Sequence, residues 1–279
     1  MFLGYNTNGF AHHRLEDAIE ILAGLGYRGV GLTLDVHHLD PFAPDLLGRT
    51  AAVRKQLERH KMACVIETGA RFLLDSRRKH YPTLLSPTPE ERAVRLDFLK
   101  QCVDTAAELN ADCVSFWSGT ATDSAPHEEL MRRLTDECKR LVEHTERTDV
   151  VLAFEPEPGM FIDTMSKFEE LYHWVHREDV FRLTVDVGHL VCNRELPVSK
   201  FLEYHGGELF NVHIEDMRQG VHDHLMFGEG EVDFADVFAG LRASNYTGGV
   251  YVELSRHSYD AVNTARKAMA FLERYLERR

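Results

Sequence analysis

Two residues that could do chemistry, Asp186 and His189, end a short apolar run in the middle of the chain. The stretch LTVDVGHL (183–190) begins with the composition of a buried β-strand and continues into a carboxylate, a glycine and an imidazole. A strand that only had to be buried would not need two polar groups three residues apart at its end. We therefore expect Asp186 and His189 to belong to a functional site.

Three further strand-like stretches carry a polar residue in the same kind of position. Glu155 follows the apolar run VLAF, His213 lies inside LFNVHI, and Glu253 follows GVYV. In chain order, Glu155, Asp186, His213 and Glu253 are 31, 27 and 40 residues apart, each about the length of one strand and one helix. Neighbouring parallel strands would bring these four side chains to one place.

Two glutamates, one aspartate and one histidine form a hard, oxygen-rich ligand set with a single imidazole. Such a set suits Mn²⁺, Mg²⁺ or Co²⁺ better than structural zinc, which favours cysteine and histidine. Taken singly, Asp186 could cap a helix, His213 could be a hydrogen-bonded core residue, and Glu253 could pair with Arg256. All four at the ends of consecutive strands favour one divalent metal ion bound by Glu155, Asp186, His213 and Glu253.

Short apolar runs alternate with amphipathic segments along the whole chain. The predicted strands are Phe2–Tyr5, Gly29–Leu34, Ala63–Glu67, Cys113–Trp117, Val150–Phe154, Arg182–Val185, Leu209–Ile214 and Gly249–Leu254. The predicted helices are Leu15–Leu25, Thr50–His60, Pro89–Leu109, Pro126–Thr145, Met165–His176, Val198–Tyr204, Phe234–Ala243 and Tyr259–Leu276. Strict alternation implies a parallel sheet with crossover helices. Eight such units favour an α/β fold, a closed (β/α)8 TIM barrel, as a single domain over residues 1–279.

Two long connections follow strands and would lie at the carboxyl-end face of the barrel, where barrel enzymes bind their ligands. They cover residues 69–88 and 215–232. On the loops of this face, Arg71 and Arg218 could bind a phosphate group, and Trp117 could stack on a sugar or wall the pocket. We expect all three to contact substrate.

The motif GLGYRG (24–29) matches GxGxxG but does not predict a nucleotide site. A dinucleotide fingerprint follows a strand and opens a helix, whereas here a helix comes first and a strand follows. Gly24 or Gly26 fits better as a helix C-cap with a tight turn into the strand. We therefore expect no nucleotide cofactor.

The composition of the chain bears on its binding partners and on its location in the cell. A net charge of −13 opposes binding to nucleic acid, and no Lys/Arg-rich block offsets it. The five cysteines are scattered and form no CxxC pair, which is typical of reduced thiols. No signal peptide and no apolar run of about 20 residues is evident. We predict a cytoplasmic protein with no nucleic-acid partner and no membrane segment.

The motifs FEPEPG, VDVGH, VHIED and YVELS, with HLMFGEGEVDF behind them, resemble the xylose isomerase-like barrel superfamily. That group includes sugar and sugar-phosphate isomerases and epimerases and the endonuclease IV group. For the ketose 3-epimerase branch, the resemblance implies that Glu155, Asp186, His213 and Glu253 bind one divalent ion. Mn²⁺ is the first choice, with Mg²⁺, Co²⁺ or Zn²⁺ as alternatives.

The resemblance also implies roles beyond metal binding. Glu155 and Glu253 would be the catalytic proton-transfer pair, and His189 would contact a hydroxyl of the substrate, a small sugar or polyol. Barrels of this superfamily often pair through the catalytic face, so a homodimer or homotetramer is expected.

Two other functions stay open at this stage. An endonuclease IV-like phosphodiesterase uses further histidines after strands 3 and 4, but VIETGARF and VSFWSGT contain none. His224 matches a ligand of that group while His222 replaces its aspartate, which leaves a second metal held by His189, His222 and His224 as an alternative. A non-catalytic sugar-binding barrel could afford to lose either glutamate, yet both are present.

Overall fold

A computed structural model describes residues 1–276 and shows a closed barrel of eight parallel strands. The strands are β1 (Phe2–Asn6), β2 (Gly29–Thr33), β3 (Ala63–Glu67), β4 (Cys113–Phe116), β5 (Val151–Phe154), β6 (Phe181–Asp186), β7 (Leu209–Ile214) and, closing the barrel against β1, β10 (Gly249–Val252). The predicted (β/α)8 TIM barrel is confirmed. The last three residues of the predicted domain, 277–279, lie outside the described residues.

The helices surround this barrel and pack their apolar faces against its outer side. They are α1 (Leu15–Gly24), α2 (Leu46–His60), α3 (Pro89–Leu109), α4 (His127–Thr145), α5 (Met165–Val175), α6 (Val187–Cys192), α7 (Val198–Tyr204), α8 (Phe234–Ala243) and α9 (Ala261–Leu276). Local sequence signals set several ends. The Thr88 side chain accepts a hydrogen bond from the Glu91 amide and Pro89 occupies the first turn of α3.

Strand register brings the carboxyl ends of the second half of the barrel to one level. Asp186 on β6 pairs with His213 on β7, and Ile214 pairs with Val252 on β10. Glu155 follows the last residue of β5, and its amide donates to the Phe116 carbonyl of β4. The barrel therefore presents its polar strand ends around a single mouth.

Two elements near this mouth were not predicted. The turn after β6 is the short helix α6, whose first amides are capped by the Asp186 side chain, which accepts from the His189 amide at 2.9 Å. The long connection after β7 contains an antiparallel hairpin of β8 (Asp216–Arg218) and β9 (Val221–Leu225). Six helical residues and a three-residue strand are too short for periodicity to show in the sequence.

The GxGxxG stretch is a helix end, as expected. Helix α1 ends at Gly24, Gly26 has a φ of 96°, and β2 begins at Gly29. A left-handed φ of this kind is what glycine allows at low cost.

All five cysteines lie within the described residues, are buried, and form no disulfide. In the part of the chain that is described, every helix is too short or too polar to cross a bilayer.

A close contact between β1 and β2 gives a first prediction. A methyl group on Gly31 would lie 1.8 Å from Oδ1 of Asn6, a fully buried residue that donates to Glu253. Gly31→Ala should lower the free energy of unfolding by about 1–3 kcal/mol, because an overpacked core shifts its neighbours. Urea denaturation measures this.

Gly48→Ala is the matched control. Gly48 is an exposed residue of α2, and a methyl group added there would have no neighbouring atom within 4 Å, so the change should be neutral or stabilising by up to about 1 kcal/mol. Equal stability of the two variants would show that Asn6 is not held against Gly31.

Candidate active site and metal centre

The four predicted metal ligands meet at the mouth of the barrel. One ligand atom from each of Glu155, Asp186, His213 and Glu253 lies within 4.8 Å of the other three. Ligand atoms that bind one ion at about 2.0–2.3 Å lie at most about 4.5 Å apart, which is close to this spacing, so small side-chain adjustments would let the four bind a single cation. Their role as ligands stays a prediction, but their convergence is a property of the fold.

His213 lies between the two glutamates. Its Nδ1 is 3.1 Å from Oε1 of Glu155 and 3.1 Å from Oε2 of Glu253, and the side-chain amide of Asn211 contacts Nε2 at 3.1 Å. Burial would lower the pKa of His213, but the two carboxylates outweigh it and raise that pKa well above its ordinary value. The centre therefore favours positive charge between the glutamates.

Both glutamates are held in place by neutral donors. Asn6 donates to Oε2 and Asn8 to Oε1 of Glu253, each at 3.1 Å. Ser115 donates to Oε2 of Glu155 at 3.2 Å. Burial alone would raise the pKa of Glu253, but the hydrogen bond and charge of His213 lower it below the ordinary value. Glu253 is thus held as a carboxylate.

Asp186 has one satisfied and one unsatisfied oxygen. Oδ1 accepts from the His189 amide, whereas Oδ2 is buried with no hydrogen-bond partner in residues 1–276. A buried polar atom without a partner costs free energy. Burial opposes ionisation, but the nearby His189 and His224 lower the pKa of Asp186. A buried anionic oxygen without a hydrogen-bond donor fits the role of a metal ligand.

His189 is buried beside this centre. Its Nδ1 lies 3.1 Å from the Pro156 carbonyl, and its Nε2 lies 3.8 Å from Oδ2 of Asp186 and 3.1 Å from Nε2 of His222. The alternative imidazole cluster is also assembled, since one nitrogen each of His189, His222 and His224 lies within 4.8 Å of the others.

A cavity of about 610 Å³ opens onto these residues. Glu155, Glu253, His189, Trp117 and Arg71 are all in its lining. This volume suits a small molecule. The predicted contact Arg218 is not in the lining: its guanidinium donates to the Glu229 carbonyl on the hairpin side.

Glu67 and Glu157, two acidic residues of the cavity lining, were not predicted as site residues. Glu67 ends β3 and accepts from the Thr33 hydroxyl at 2.7 Å, and burial with the charge of Glu253 raises the pKa of Glu67 to about 7. Burial raises the pKa of Glu157 to about 8. Near neutral pH these carboxyl groups can donate a hydrogen bond to a hydroxyl. Glu67 could have been found by the same sequence signal as Glu155, a polar residue at a strand end. Glu157 lies between two prolines, so its sequence context predicts only a loop.

Several basic side chains contribute to the lining of the cavity. They are Arg71, Lys79 and His80 from the loop after β3 and Arg256 from a short 3-10 helix after β10. His80 contacts the Gly69 carbonyl through Nδ1 at 2.8 Å and packs edge-to-face against Trp117. Lys79 and His80 were missed because loop residues carry no periodic signal.

The family model described as "Xylose isomerase-like TIM barrel" matches residues 19–275. The chain belongs to the xylose isomerase-like TIM barrel family. The resemblance seen in its motifs is thereby confirmed.

Proteins similar to this chain include sugar epimerases. The chain is 28% identical over 192 residues to L-ribulose-5-phosphate 3-epimerase UlaE of Shigella flexneri, an alignment over 68% of this chain and 66% of that protein. It therefore spans slightly less than two thirds of the length of this relative.

Solved structures share the family fold. D-allulose 3-epimerase from Methylomonas sp. superposes with a TM-score of 0.80 at 19% identity, covering 99% of this chain and 98% of that one. IOLI protein with a bound zinc atom superposes with a TM-score of 0.77 at 17% identity, with all of both chains covered.

The cavity-lining residue His80 gives a prediction about pH and stability. Burial, with Lys79 adding to it, lowers the pKa of His80 to about 4, below the ordinary value of about 6.5. As the pH falls, the imidazole of His80 therefore binds a proton at a higher pH in the unfolded chain than in the folded one. The contribution of neutral His80 to the free energy of unfolding is fully present above pH about 6.5 and is lost as the pH falls towards 4.

Replacing His80 by glutamine should remove this contribution and keep a donor for the Gly69 carbonyl. Between pH 7 and 4.5, wild type should lose about 1–3 kcal/mol more free energy of unfolding than His80→Gln. Urea denaturation of both proteins at the two pH values measures these losses. Titrating groups that the two proteins share contribute equally to both losses and do not affect the comparison. Identical losses would mean that His80 titrates normally in the folded chain.

Proposed function

We propose that this protein is a metal-dependent sugar or sugar-phosphate isomerase or epimerase that moves a proton at a carbon next to a carbonyl. The observation that carries the proposal is the pair Glu155 and Glu253, which both contact His213 and both line one cavity. Two positioned carboxylates at one centre are suited to removing and returning a proton.

The centre also suits a metal. Glu155, Asp186, His213 and Glu253 would hold one divalent ion, Mn²⁺ by preference and Mg²⁺, Co²⁺ or Zn²⁺ as alternatives. Such an ion would polarise the substrate carbonyl and stabilise the charge that develops on its oxygen. The unpartnered Oδ2 of Asp186 and the oxygen-rich ligand set support this assignment.

The protein's own residues then divide the remaining work. Glu253, fixed as a carboxylate by Asn6 and Asn8, is ready to accept a proton from the substrate, leaving an enediolate. Glu155 serves as the second acid–base group. If the two act on opposite faces of the substrate, the result is epimerisation. If one acts at two adjacent carbons, the result is aldose–ketose isomerisation.

His189 would position the substrate. With Nδ1 donating to the Pro156 carbonyl, its Nε2 would exchange its contact with Nε2 of His222 for one with a substrate hydroxyl. Trp117 and Arg71, as lining residues, are proposed contacts for the sugar and for a phosphate. Arg218 could contact substrate only after leaving the Glu229 carbonyl.

The comparisons support the substrate class. UlaE is named for a ketose phosphate and the Methylomonas enzyme for a free ketose, so a sugar or polyol, with or without phosphate, is the proposed substrate. The bound zinc of IOLI protein supports a divalent ion in this fold. The homodimer or homotetramer and the cytoplasmic location stay predictions.

The endonuclease IV alternative finds less support. The ends of β3 and β4 carry Glu67 and Trp117 where that group would need histidines, and the net charge is −13. The histidine cluster of His189, His222 and His224 is the one feature in its favour. A non-catalytic sugar-binding barrel would have no use for two glutamates fixed by dedicated donors.

The glutamates can be tested as acid–base groups separately from their role as ligands. Glu155→Gln and Glu253→Gln keep an oxygen for the metal but lose the base. Each should lower turnover of the responsive ketose or ketose phosphate by at least about 10²-fold, with only part of the metal lost. Exchange of the substrate's α-proton with solvent in D₂O should fall equally.

His213→Ala is the companion variant, because His213 is proposed only as a ligand. It should lose metal and activity together, and added Mn²⁺ should restore part of both. A glutamine variant that retains its metal and still exchanges the proton at the wild-type rate would disprove that glutamate's role as a base. Absence of any exchange in wild type across ketoses and ketose phosphates would favour the binding-protein alternative.

A further inference from the structure

Glu215 is a buried acid that the proposed mechanism does not use. It follows the last residue of β7, its side chain is completely buried, and neither of its oxygens has a hydrogen-bond partner within residues 1–276. Burying a carboxylate without donors is strongly unfavourable. Either a proton shared with the nearby Asp186 carboxylate or a bound cation must therefore compensate this group.

The next residue shows how this fold satisfies a buried acid when no ligand is needed. Asp216 is also buried, and it accepts backbone hydrogen bonds from Met217, Gly228 and Val232 at 3.0, 2.8 and 3.1 Å. The hairpin loop is thus wrapped around Asp216. No such donors reach Glu215, one residue earlier.

The backbone leaves room for the Glu215 carboxylate. A methyl group on Gly188, at the start of α6, would lie 1.9 Å from Oε1 of Glu215. Only a glycine allows the carboxylate to approach α6 this closely. That approach brings it towards Asp186, the residue that caps the same helix.

The groups that face Glu215 are those of a metal site. Nδ1 of His224 is 3.8 Å from Oε2 of Glu215, and one ligand atom each of Asp186, Glu215 and His224 lies within 4.8 Å of the others. Oδ2 of Asp186 is itself unpartnered. Three carboxyl oxygens without donors and one imidazole thus surround one small volume.

We propose that Asp186, Glu215 and His224 bind a second divalent cation, of the Mn²⁺ or Zn²⁺ class, next to the first. The inference rests on the proposed metal centre, since Asp186 belongs to both ligand sets and would bridge the two ions. Paired ions that share a carboxylate lie about 3.5–4 Å apart in two-metal sites. The pair would neutralise Glu215 without any hydrogen bond from the protein.

This assignment differs from the alternative in which His189, His222 and His224 hold the second ion. Those imidazoles largely satisfy one another, because Nε2 of His222 contacts Nε2 of His189, whose Nδ1 contacts the Pro156 carbonyl. An ion there would leave Glu215 unpartnered. The two assignments share His224 and cannot both be filled by one ion.

Counting ions per chain tests the proposal without an activity assay. The full-length protein is stripped with a chelator, equilibrated with Mn²⁺, freed of excess metal and analysed by elemental analysis, with Mn²⁺ EPR in parallel. Wild type should hold two Mn²⁺ per chain, with the spin coupling of a close pair. Glu215→Gln, which changes one atom, should hold one ion with an uncoupled signal. His222→Gln, the matched control, should still hold two.

The outcomes separate this inference from the proposed function. One ion per wild-type chain, lost in His213→Ala but kept in Glu215→Gln, would overturn the second site and leave the first standing. Such a result would mean that Asp186 and Glu215 only share a proton. No bound ion at all would overturn both. Two ions in Glu215→Gln but one in His222→Gln would assign the site to the imidazoles.

If Glu215→Gln does not fold, His224→Gln and His222→Gln provide the test instead. One ion in His224→Gln and two in His222→Gln would support the proposal, and any other pair of counts would overturn it.

Discussion

Negative charge held out of water at the barrel mouth is the constraint around which the site is organised. Glu155, Asp186, Glu215 and Glu253 are brought together from four strand ends, so four carboxyl groups lie close to one another away from water. His213 lies between Glu155 and Glu253, and these two carboxylates raise its pKa, which favours a positive charge within the cluster. A divalent ion would compensate the charge of these carboxylates more completely. The fold of the barrel mouth and the proposed metal chemistry would then depend on each other.

The surroundings of each carboxylate decide what it can do. Glu253 has a neutral donor on each oxygen and stays ionised, while Glu67 and Glu157 have raised pKa values and can donate near neutral pH. Burial and hydrogen-bond partners thus give chemically identical side chains different protonation states, which is what the proposed roles of base, hydrogen-bond donor and ligand require. Such a division of roles would suit the sugar substrate proposed above.

The elements that shape the mouth are short and irregular. Helix α6 is capped by Asp186 and places His189 over the centre, and the β8–β9 hairpin carries His222 and His224 to the same point. Asp216 holds the hairpin loop by accepting three backbone amides. A rigid barrel with a specialised loop is the general way in which this architecture varies its chemistry.

The sequence by itself determined the barrel and the four converging residues. Both follow from local periodicity and from the rule that parallel strands end on one face, and Glu155, Asp186, His213 and Glu253 each lie at or near the end of an apolar run. It could not reveal that Glu215 is buried without a donor while Asp216 beside it has three, since adjacent residues look alike in a loop. Nor could it show that Arg218 turns away to the Glu229 carbonyl, or that Gly188 makes room for Glu215. Those features depend on contacts between residues distant in the chain, and such contacts, together with the burial that shifts each pKa, exist only once the tertiary structure has formed.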